Sequence, residues 1–260
     1  MSHLNTIVQY VKHQIRAYNR HGIHSPFVYA FLEDVLYADD RSEFKNLEQL
    51  KNALLNDERV IQITDLGAGS KINQNNNRLI KDIAKHSSKP SKYGRLFNRM
   101  VKYYQTEQVI ELGTSLGLSS SYFAQNNPHL KVTTIEGCPE TLKIATTNFE
   151  KLNLNNIRTL QGDFKDRLSE ALTPRGEKEI IFFDGNHQEQ ATLEYFKTAL
   201  KNVSSKSIFI FDDIHWSIGM TKAWNKIKGH PQTVVTLDLF FIGIVFFDER
   251  LTPQNFNIRF

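Results

Sequence analysis

The sequence predicts an α/β fold: a doubly wound, mostly parallel seven-stranded sheet with a C-terminal antiparallel hairpin, preceded by a mainly helical N-terminal segment. From Gln108 onward, near-continuous apolar strands alternate with helical stretches, which is typical of a parallel sheet covered on both faces. The last two apolar runs follow each other almost without a connection, as only antiparallel strands can. In the first ninety or so residues, apolar side chains recur mostly at helical spacing.

Five parallel strands and one hairpin account for the seven strands. The predicted strands are Val109–Leu112, Lys131–Ile135, Ile157–Gln161, Ile180–Phe183 and Ser207–Phe211, followed by the hairpin strands Thr233–Leu239 and Phe241–Phe247 at one edge of the sheet. Helices between the strands should begin near Ser119, Pro139, Phe164 and Gln188.

The N-terminal segment contains three predicted helices, and a fourth follows it. The apolar residues that define the first helix are Leu4, Ile7, Val8, Val11, Ile15 and Tyr18. A second helix should begin at Pro26 with Ser25 as its N-cap, and a third should be capped by Ser42. A fourth, around Tyr93 to Tyr104, leads into the sheet. We therefore predict a helical cap segment over residues 1–92 and an α/β domain over residues 93–260.

Composition indicates an ordinary globular protein of 260 residues, 40% of them hydrophobic, without an apolar run of membrane-spanning length or a signal peptide. One cysteine, Cys138, excludes an internal disulfide and favours a cytoplasmic location. The net charge is +4, and nine basic residues lie between Lys71 and Lys102 beside the single acid Asp82. We interpret this stretch as a solvated surface, because no zinc-finger spacing or aromatic platform for nucleic acid accompanies it.

Acidic residues recur at the predicted strand ends, at regular spacings of 25, 27, 21 and 28 residues. They are Glu111, Glu136, Asp163, Asp184 and Asp212. A single acidic residue at a strand end is as often a helix cap as a ligand contact. Five consecutive strands that each end in an acidic residue are unlikely to arise by chance. Because ligands bind at the carboxyl ends of the strands in open α/β sheets, the series predicts a nucleoside site there.

A glycine loop follows the first strand, with Gly113 and Gly117 in the spacing G-x-x-x-G. Glycines let the backbone approach a ligand closely. Nicotinamide dehydrogenases instead carry G-x-G-x-x-G, and their six-stranded sheet is all parallel. The sequence therefore favours another kind of nucleoside ligand.

Five motifs in this order, ELGTSLGLSS, TIEGCP, QGDF, FFDGNH and FDDIHWS, resemble those of class I methyltransferases of the O-methyltransferase type. The resemblance spans roughly Tyr93 to Phe247 and implies a Rossmann-like domain that uses S-adenosylmethionine. The motifs RHGIHSPFVY, DLGAGS and DLFFIGIVFF also resemble a group of bacterial methyltransferase-like proteins.

The resemblance implies a set of cofactor-binding residues. They are Glu111, Gly113, Thr114, Ser115, Gly117, Ser119, Glu136, Gly137, Asp163 and Asp184. Within this set, Glu111, Gly113 and Ser119 would hold the methionine and sugar portions. Glu136 would bind the ribose hydroxyls, and Asp163 would face the adenine amine.

In catechol and caffeoyl-coenzyme A O-methyltransferases, strand-end residues hold a divalent metal, and Asp184, Asp212 and Asp213 fall on those positions. Three carboxylates suit Mg²⁺ or Ca²⁺, although the third position is usually Asn in that family. His187 stands where the family has a catalytic lysine. With Asp184, it is the candidate catalytic residue: a general base, a fourth metal ligand or a polar pocket residue. A metal-free site in which His187 acts alone is the competing interpretation.

The expected activity is O-methylation of a small hydroxylated molecule, without nucleic-acid or membrane partners. Methylation of RNA or another macromolecule, and nucleoside binding without catalysis, are the alternatives. The acceptor is left open by the sequence, as is the oligomeric state, for which a homodimer is the candidate. A second glycine loop, Asp65–Ser70, ends too far before Glu111 to be one strand–helix unit of the sheet. We interpret it as a loop near the active-site mouth or an ordinary turn.

Overall fold

The computed structural model describes residues 3–19, 22–39, 41–64, 76–172 and 178–260. The chain forms two compact units. The first consists of Met1–Ala38 and Leu172–Phe260, and the second of Asp39–Ala171. The division into residues 1–92 and 93–260 stays a prediction.

Ten α-helices and ten β-strands lie in the described residues. The helices are α1 His3–Arg16, α2 Pro26–Phe31, α3 Lys45–Leu55, α4 Ile80–Ser87, α5 Ser91–Tyr104, α6 Leu118–Ala124, α7 Pro139–Lys151, α8 Phe164–Ala171, α9 Glu189–Leu200 and α10 Ile218–Lys228. The strands are β1 Val60–Gln62, β2 Asn77–Leu79, β3 Gln108–Leu112, β4 Lys131–Glu136, β5 Ile157–Gln161, β6 Glu179–Phe183, β7 Ile208–Asp212, β8 Val235–Asp238, β9 Ile242–Phe246 and β10 Gln254–Asn257. In the part of the chain that the structure describes, no helix is both long and apolar enough to cross a membrane.

The second unit contains three parallel strands in the order β3-β4-β5. Strand β3 is buried along its whole length, and α8 packs against β3 and β4. Helix α7 packs against β4 and β5. Because the strands are parallel and in register, their carboxyl ends lie side by side at one edge. The predicted alternation of strands and helices is confirmed here.

The first unit contains strands in the order β10-β8-β9-β7-β6. Strands β6 and β7 are parallel, and β9 is antiparallel to both β7 and β8, which confirms the predicted hairpin. The hairpin is not the edge, however, because β10 pairs in parallel with β8. Strand β10 is therefore an eighth strand beyond the seven predicted. The sequence of strand β10 is Gln-Asn-Phe-Asn, and only Phe256 is buried. Because it contains no apolar run, the strand could not be predicted from the sequence.

A short antiparallel pair, β1 with β2, lies in the second unit and was not predicted. Val60 pairs with Leu79 and Gln62 with Asn77. The polar composition of residues 71–77 predicts a loop, but Asn77 already begins β2. The glycine loop Asp65–Ser70 lies outside the described residues.

Helix α1 forms as predicted, but most of its predicted apolar stripe is exposed. Four of the six residues that define this stripe are exposed, namely Val8, Val11, Ile15 and Tyr18. The side chains of Leu4 and Ile7 lie outside the described part of the structure. Its buried residues include His13, whose Nε2 lies 3.2 Å from the Ile258 carbonyl oxygen. Backbone pairing between Tyr18 and Ile258 fixes the chain just beyond the helix. Helical spacing predicted the element, but contacts with the C-terminal segment determine its orientation.

The second helix begins as predicted, because the Ser25 hydroxyl accepts a hydrogen bond from the Val28 N–H at 3.4 Å and Pro26 occupies the first turn. It continues as a π-helical turn over Leu32–Leu36. The third helix begins later than predicted. A 3-10 turn over Arg41–Phe44 precedes it, so Phe44 rather than Ser42 is its N-cap residue.

Close packing between α5 and α6 generates a prediction. A Cβ added at Gly94 would overlap the Tyr122 ring, which is held in place because its hydroxyl donates to Glu48 at 2.9 Å. Gly94→Ala should therefore lower the free energy of unfolding by about 1–3 kcal/mol, despite the better helix propensity of alanine. Urea denaturation followed by circular dichroism measures this. Gly229→Ala is the control, since its nearest new contact is at 3.5 Å. Equal stabilities of both variants and the wild type would contradict the packing argument.

Candidate functional site

The glycine loop after β3 adopts a backbone that few side chains tolerate. Gly113 has a φ of 107° and Gly117 a φ of 81°, and between them Ser115 has a φ of 47°. All three values lie in the left-handed region. A Cβ at Gly117 would also lie 2.5 Å from the Phe149 ring. Both glycines are thus required by conformation, and Gly117 also by close packing.

Backbone hydrogen bonds attach this loop to the end of β4. The N–H groups of Gly113 and Thr114 donate to the Ile135 carbonyl at 3.0 and 3.2 Å. The Thr114 hydroxyl lies 2.6 Å from that of Thr134, and both side chains are buried. Thr114 therefore holds the loop to β4 from the buried side. Gly113, Ser115 and Ser119, by contrast, are half-exposed.

Glu136, the predicted ribose ligand, is half-buried at the end of β4 and fastens the same loop. One carboxylate oxygen accepts from the Ser115 N–H at 2.8 Å, and the other accepts from the Cys138 N–H at 2.9 Å. Gly137 lies between these contacts and is half-buried. Since each carboxylate oxygen has further lone pairs, Glu136 can still accept hydrogen bonds from a ligand.

Glu111 faces the interior. It is completely buried, and its carboxylate accepts hydrogen bonds from the hydroxyls of Ser120 and Thr134. Burial raises the pKa of Glu111 to about 7, although hydrogen bonds from Ser119, Ser120 and Thr134 oppose the increase. In this arrangement Glu111 connects β3 to the start of α6 and to β4.

Asp163 begins α8. Its carboxylate accepts from the Lys165 N–H at 2.8 Å, and its carbonyl accepts from the Arg167 N–H at 3.0 Å. The preceding Gly162 has a φ of 144° and donates its N–H to the Glu136 carbonyl at 2.9 Å. Asp163 is thus a half-buried helix-capping residue. It follows β5, the strand next to β4, at whose end Glu136 lies.

In the first unit, Asp184 and His187 follow β6, and Asp212 ends β7. Because Phe183 pairs with Phe211, the parallel register brings Asp184 opposite Asp212. One potential ligand atom from each of the three side chains lies within 4.8 Å of the others. His187 Nε2 is 3.7 Å from the nearer Asp184 oxygen. Asp212 is buried, while Asp184 and His187 are half-exposed and accessible to a ligand.

Asp213 is not a member of this group of ligand atoms, in which His187 takes the third place. Its backbone is left-handed, with a φ of 51°, and its carbonyl accepts from the Trp216 N–H at 2.9 Å. Two carboxylates and one imidazole fit a divalent ion in charge and donor type. The assignment of Asp184, Asp212 and Asp213 as metal ligands stays a prediction.

A second group of ligand atoms in the first unit was not predicted: His13, His215 and Asp238. Burial lowers the pKa of His13, and the nearby Asp238 only partly compensates. These residues lie far apart in the sequence, so no spacing could reveal them. Asp238 and His215 do lie inside motifs that carry the family resemblance, DLFFIGIVFF and FDDIHWS.

Cys138 and Trp216 differ in burial. Cys138 is buried, and its sulfur accepts from the Thr64 N–H at 3.3 Å, so it is a packed thiol. Trp216 is 61% exposed, so it does not serve internal packing in the described structure.

Residues 110–214 match the family model described as a methyltransferase domain. These residues include the glycine loop, Glu136, Asp163 and the Asp184 group. The match spans less than half of the chain. No curated protein is significantly similar to the chain in sequence.

Several solved structures are similar to the chain in fold. An O-methyltransferase from Bacillus cereus in complex with SAH is 19% identical, with a TM-score of 0.53 over 85% of this chain and 97% of that one. An SAH-bound methyltransferase from Podospora anserina is 15% identical, with a TM-score of 0.54 over 62% and 80%. The O-methyltransferase TomG from Streptomyces achromogenes, in complex with SAM, is 17% identical, with a TM-score of 0.52 over 64% and 82%. At these identities the likeness shows the fold alone.

The buried Glu111 generates a prediction about pH. Its pKa of about 7 in the folded chain lies above the ordinary value of 4.5. Folding therefore favours the protonated form, and the contribution of Glu111 to stability decreases as the pH rises from 4.5 through 7. The free energy of unfolding of Glu111→Gln, relative to that of the wild type, should therefore rise by about 2–3 kcal/mol between pH 5 and pH 8. Urea denaturation at both pH values measures the change.

The exposed Glu140, varied to Gln, is the matched control and should show no such change with pH. The substitution also removes a carboxylate that accepts hydrogen bonds from Ser120 and Thr134. The resulting loss of stability is the same at both pH values, so it does not affect the difference between them. Parallel stability curves for the wild type and Glu111→Gln across this pH range would refute the raised pKa.

Proposed function

We propose that the protein is an S-adenosylmethionine-dependent methyltransferase that methylates a hydroxyl group of a small molecule. The observation that carries the proposal is Glu136, a strand-end carboxylate whose two oxygens hold the glycine loop and keep acceptor capacity. The methyltransferase domain match supports it, as do the SAH or SAM complexes of proteins with the same fold.

Nucleoside binding follows from the chemistry of this loop. A vicinal diol offers two donors, and a carboxylate can accept both. Because Ser115 and Cys138 fix the two oxygens, Glu136 is already oriented before a ligand arrives. Gly113, half-exposed and without a side chain, lets the methionine part approach the backbone. Three of the predicted cofactor-binding residues would contribute to binding only by holding the loop in place: Thr114, Gly117 and Glu111. Ser119 would contact the cofactor through its half-exposed side chain.

Bound S-adenosylmethionine would supply an electrophilic methyl group on a sulfonium. The protein must then accept the proton of the attacking hydroxyl. His187 is the best-suited acceptor, since a neutral imidazole has one unprotonated nitrogen. With Nε2 facing Asp184 at 3.7 Å, Nδ1 is the nitrogen that would take the proton. Asp184 would stabilise the resulting imidazolium by its negative charge.

A divalent ion is the alternative use of the same group. Asp184, His187 and Asp212 would hold it, and it would supply a positive charge that lowers the pKa of a coordinated hydroxyl. In that case His187 is a ligand and cannot also be the base. The two versions differ in their response to chelators.

RNA as the acceptor is less well supported, because basic residues of the 71–102 stretch are already paired in the second unit. Lys81 contacts Glu58 at 2.8 Å, and Lys102 contacts Glu43 at 2.6 Å. Arg95 similarly contacts Glu48 at 3.3 Å. Acids from residues 43–58 thus compensate part of the charge that the sequence concentrates between Lys71 and Lys102.

Cofactor binding tests the first part of the proposal. Glu136→Ala should weaken S-adenosylmethionine binding by about 2–3 kcal/mol, because charge-assisted hydrogen bonds to the ribose and the anchors of the loop are lost together. Isothermal titration calorimetry measures the affinity. Glu140→Ala removes the same charge from an exposed position four residues away and should bind normally. Wild-type affinity in Glu136→Ala would refute the ribose assignment.

Turnover tests the second part. Once an acceptor has been identified from a panel of phenolic and other hydroxylated compounds, His187→Ala should reduce kcat by about 10²–10⁴-fold, the usual contribution of a general base. Its affinity for S-adenosylmethionine should stay unchanged. The exposed His129, varied to Ala, is the control and should keep full activity.

The wild type is also assayed in excess EDTA. Unchanged turnover supports His187 as a free base, whereas loss that Mg²⁺ or Ca²⁺ restores supports the metal version. If His187→Ala keeps wild-type kcat, neither version of the site holds. If cofactor binds but no compound in the panel is methylated, nucleoside binding without catalysis becomes the better interpretation.

A further inference from the structure

The first unit holds a second cluster of metal-ligating side chains, which the proposed function does not use. His13 comes from α1, His215 from the segment after β7, and Asp238 from the end of β8. None of the three belongs to the group of Asp184, His187 and Asp212. We propose that His13, His215 and Asp238 form a binding site for a transition metal ion of the zinc class.

The distances suit a tetrahedral ion. His215 Nε2 lies 2.9 Å from one Asp238 oxygen, and His13 Nδ1 lies 3.6 Å from the other. One ligand atom from each side chain falls within 4.8 Å of the others. Zinc bonds of 2.0–2.2 Å in a tetrahedron place ligand atoms about 3.3–3.6 Å apart. Small side-chain adjustments would therefore bring all three onto one ion.

The outer nitrogen of each histidine already has a partner. His13 Nε2 lies 3.2 Å from the Ile258 carbonyl, so it is the protonated nitrogen and Nδ1 presents its lone pair. His215 Nδ1 lies 3.4 Å from the Thr221 hydroxyl, which can accept or donate. Both rings can thus adopt the tautomer that a metal ligand needs. Such outer hydrogen bonds fix the orientation of metal-bound histidines in proteins.

Asp238 is also held rigidly. Trp224 Nε1 donates to one carboxylate oxygen at 2.9 Å, and the Phe240 N–H donates to the other at 2.9 Å. Asp238 and Trp224 are almost completely buried. Between His13 Nδ1 and Asp238, by contrast, two acceptors face each other at a distance too long for a hydrogen bond. A cation between them would remove this mismatch.

The donor set indicates which ion. Two imidazoles and one carboxylate favour zinc and its neighbours over Mg²⁺ or Ca²⁺, which prefer oxygen. The Phe240 ring packs beside both histidines, with centroids 5.5 Å from His13 and 5.2 Å from His215. With three protein ligands, a tetrahedral ion would keep its fourth position for water. The ion would link α1 to β8 and to the segment that precedes α10.

Metal uptake by the full-length protein tests the proposal directly. The protein is stripped with a chelator, and ZnCl₂ is then titrated against a chromophoric competitor. We expect one tightly bound equivalent, and Co²⁺ in its place should give the intense visible absorption of a four-coordinate ion. Anomalous scattering from zinc-soaked crystals should place the ion between His13, His215 and Asp238.

Variants distinguish this site from the Asp184 group. His13→Ala and His215→Gln should each weaken zinc binding at least 100-fold, whereas His187→Ala should retain it. Because a variant could fail to fold, the titration and anomalous map of the wild type stand independently. Absence of stoichiometric uptake by the wild type would overturn the proposal. It would also be overturned by an anomalous peak only at Asp184, His187 and Asp212, or by unchanged affinity in folded His13→Ala.

Discussion

The left-handed backbone between Gly113 and Gly117 is the constraint on which the candidate cofactor site depends. It turns the chain sharply at the end of β3, and its shape is maintained by hydrogen bonds to Ile135 and Glu136 on β4. The carboxylate of Glu136 therefore stabilises the loop even when no ligand is bound. Substitutions that disturb the loop and substitutions that remove Glu136 should impair the same binding step, because each depends on the other.

Several strands could be predicted from the sequence almost to the residue. Strand β5 has the predicted bounds, and β3 and β6 each begin one residue earlier than predicted. Strands β3 and β6 are predictable because burial along their whole length demands mostly apolar residues. Strand β5, in which only Leu160 is buried, follows instead from the regular alternation of strands and helices. Strand β10 escaped prediction because it lies outermost and is mostly polar. The exposed stripe of α1 shows the reverse failure, since periodicity cannot specify which partner a helix packs against.

The site could be predicted only in part, for a related reason. Strand ends are fixed by the fold, so the positions of Glu136, Asp184 and Asp212 follow from the spacing of acids. Side-chain direction is set by contacts between distant segments, so the sequence could not show that Glu111 points inward to Ser120 and Thr134. The same holds for His13, whose neighbours Asp238 and Ile258 are more than 220 residues away.

Nucleoside recognition by Glu136 and the glycine loop is the central claim, and a crystal structure of the protein grown with S-adenosylhomocysteine tests it most directly. The account predicts that both ribose hydroxyls lie within hydrogen-bond distance of Glu136 and that the homocysteine part lies along Gly113 and Ser115. A ligand bound elsewhere, or crystals in which saturating S-adenosylhomocysteine leaves the loop without ligand density, would contradict it.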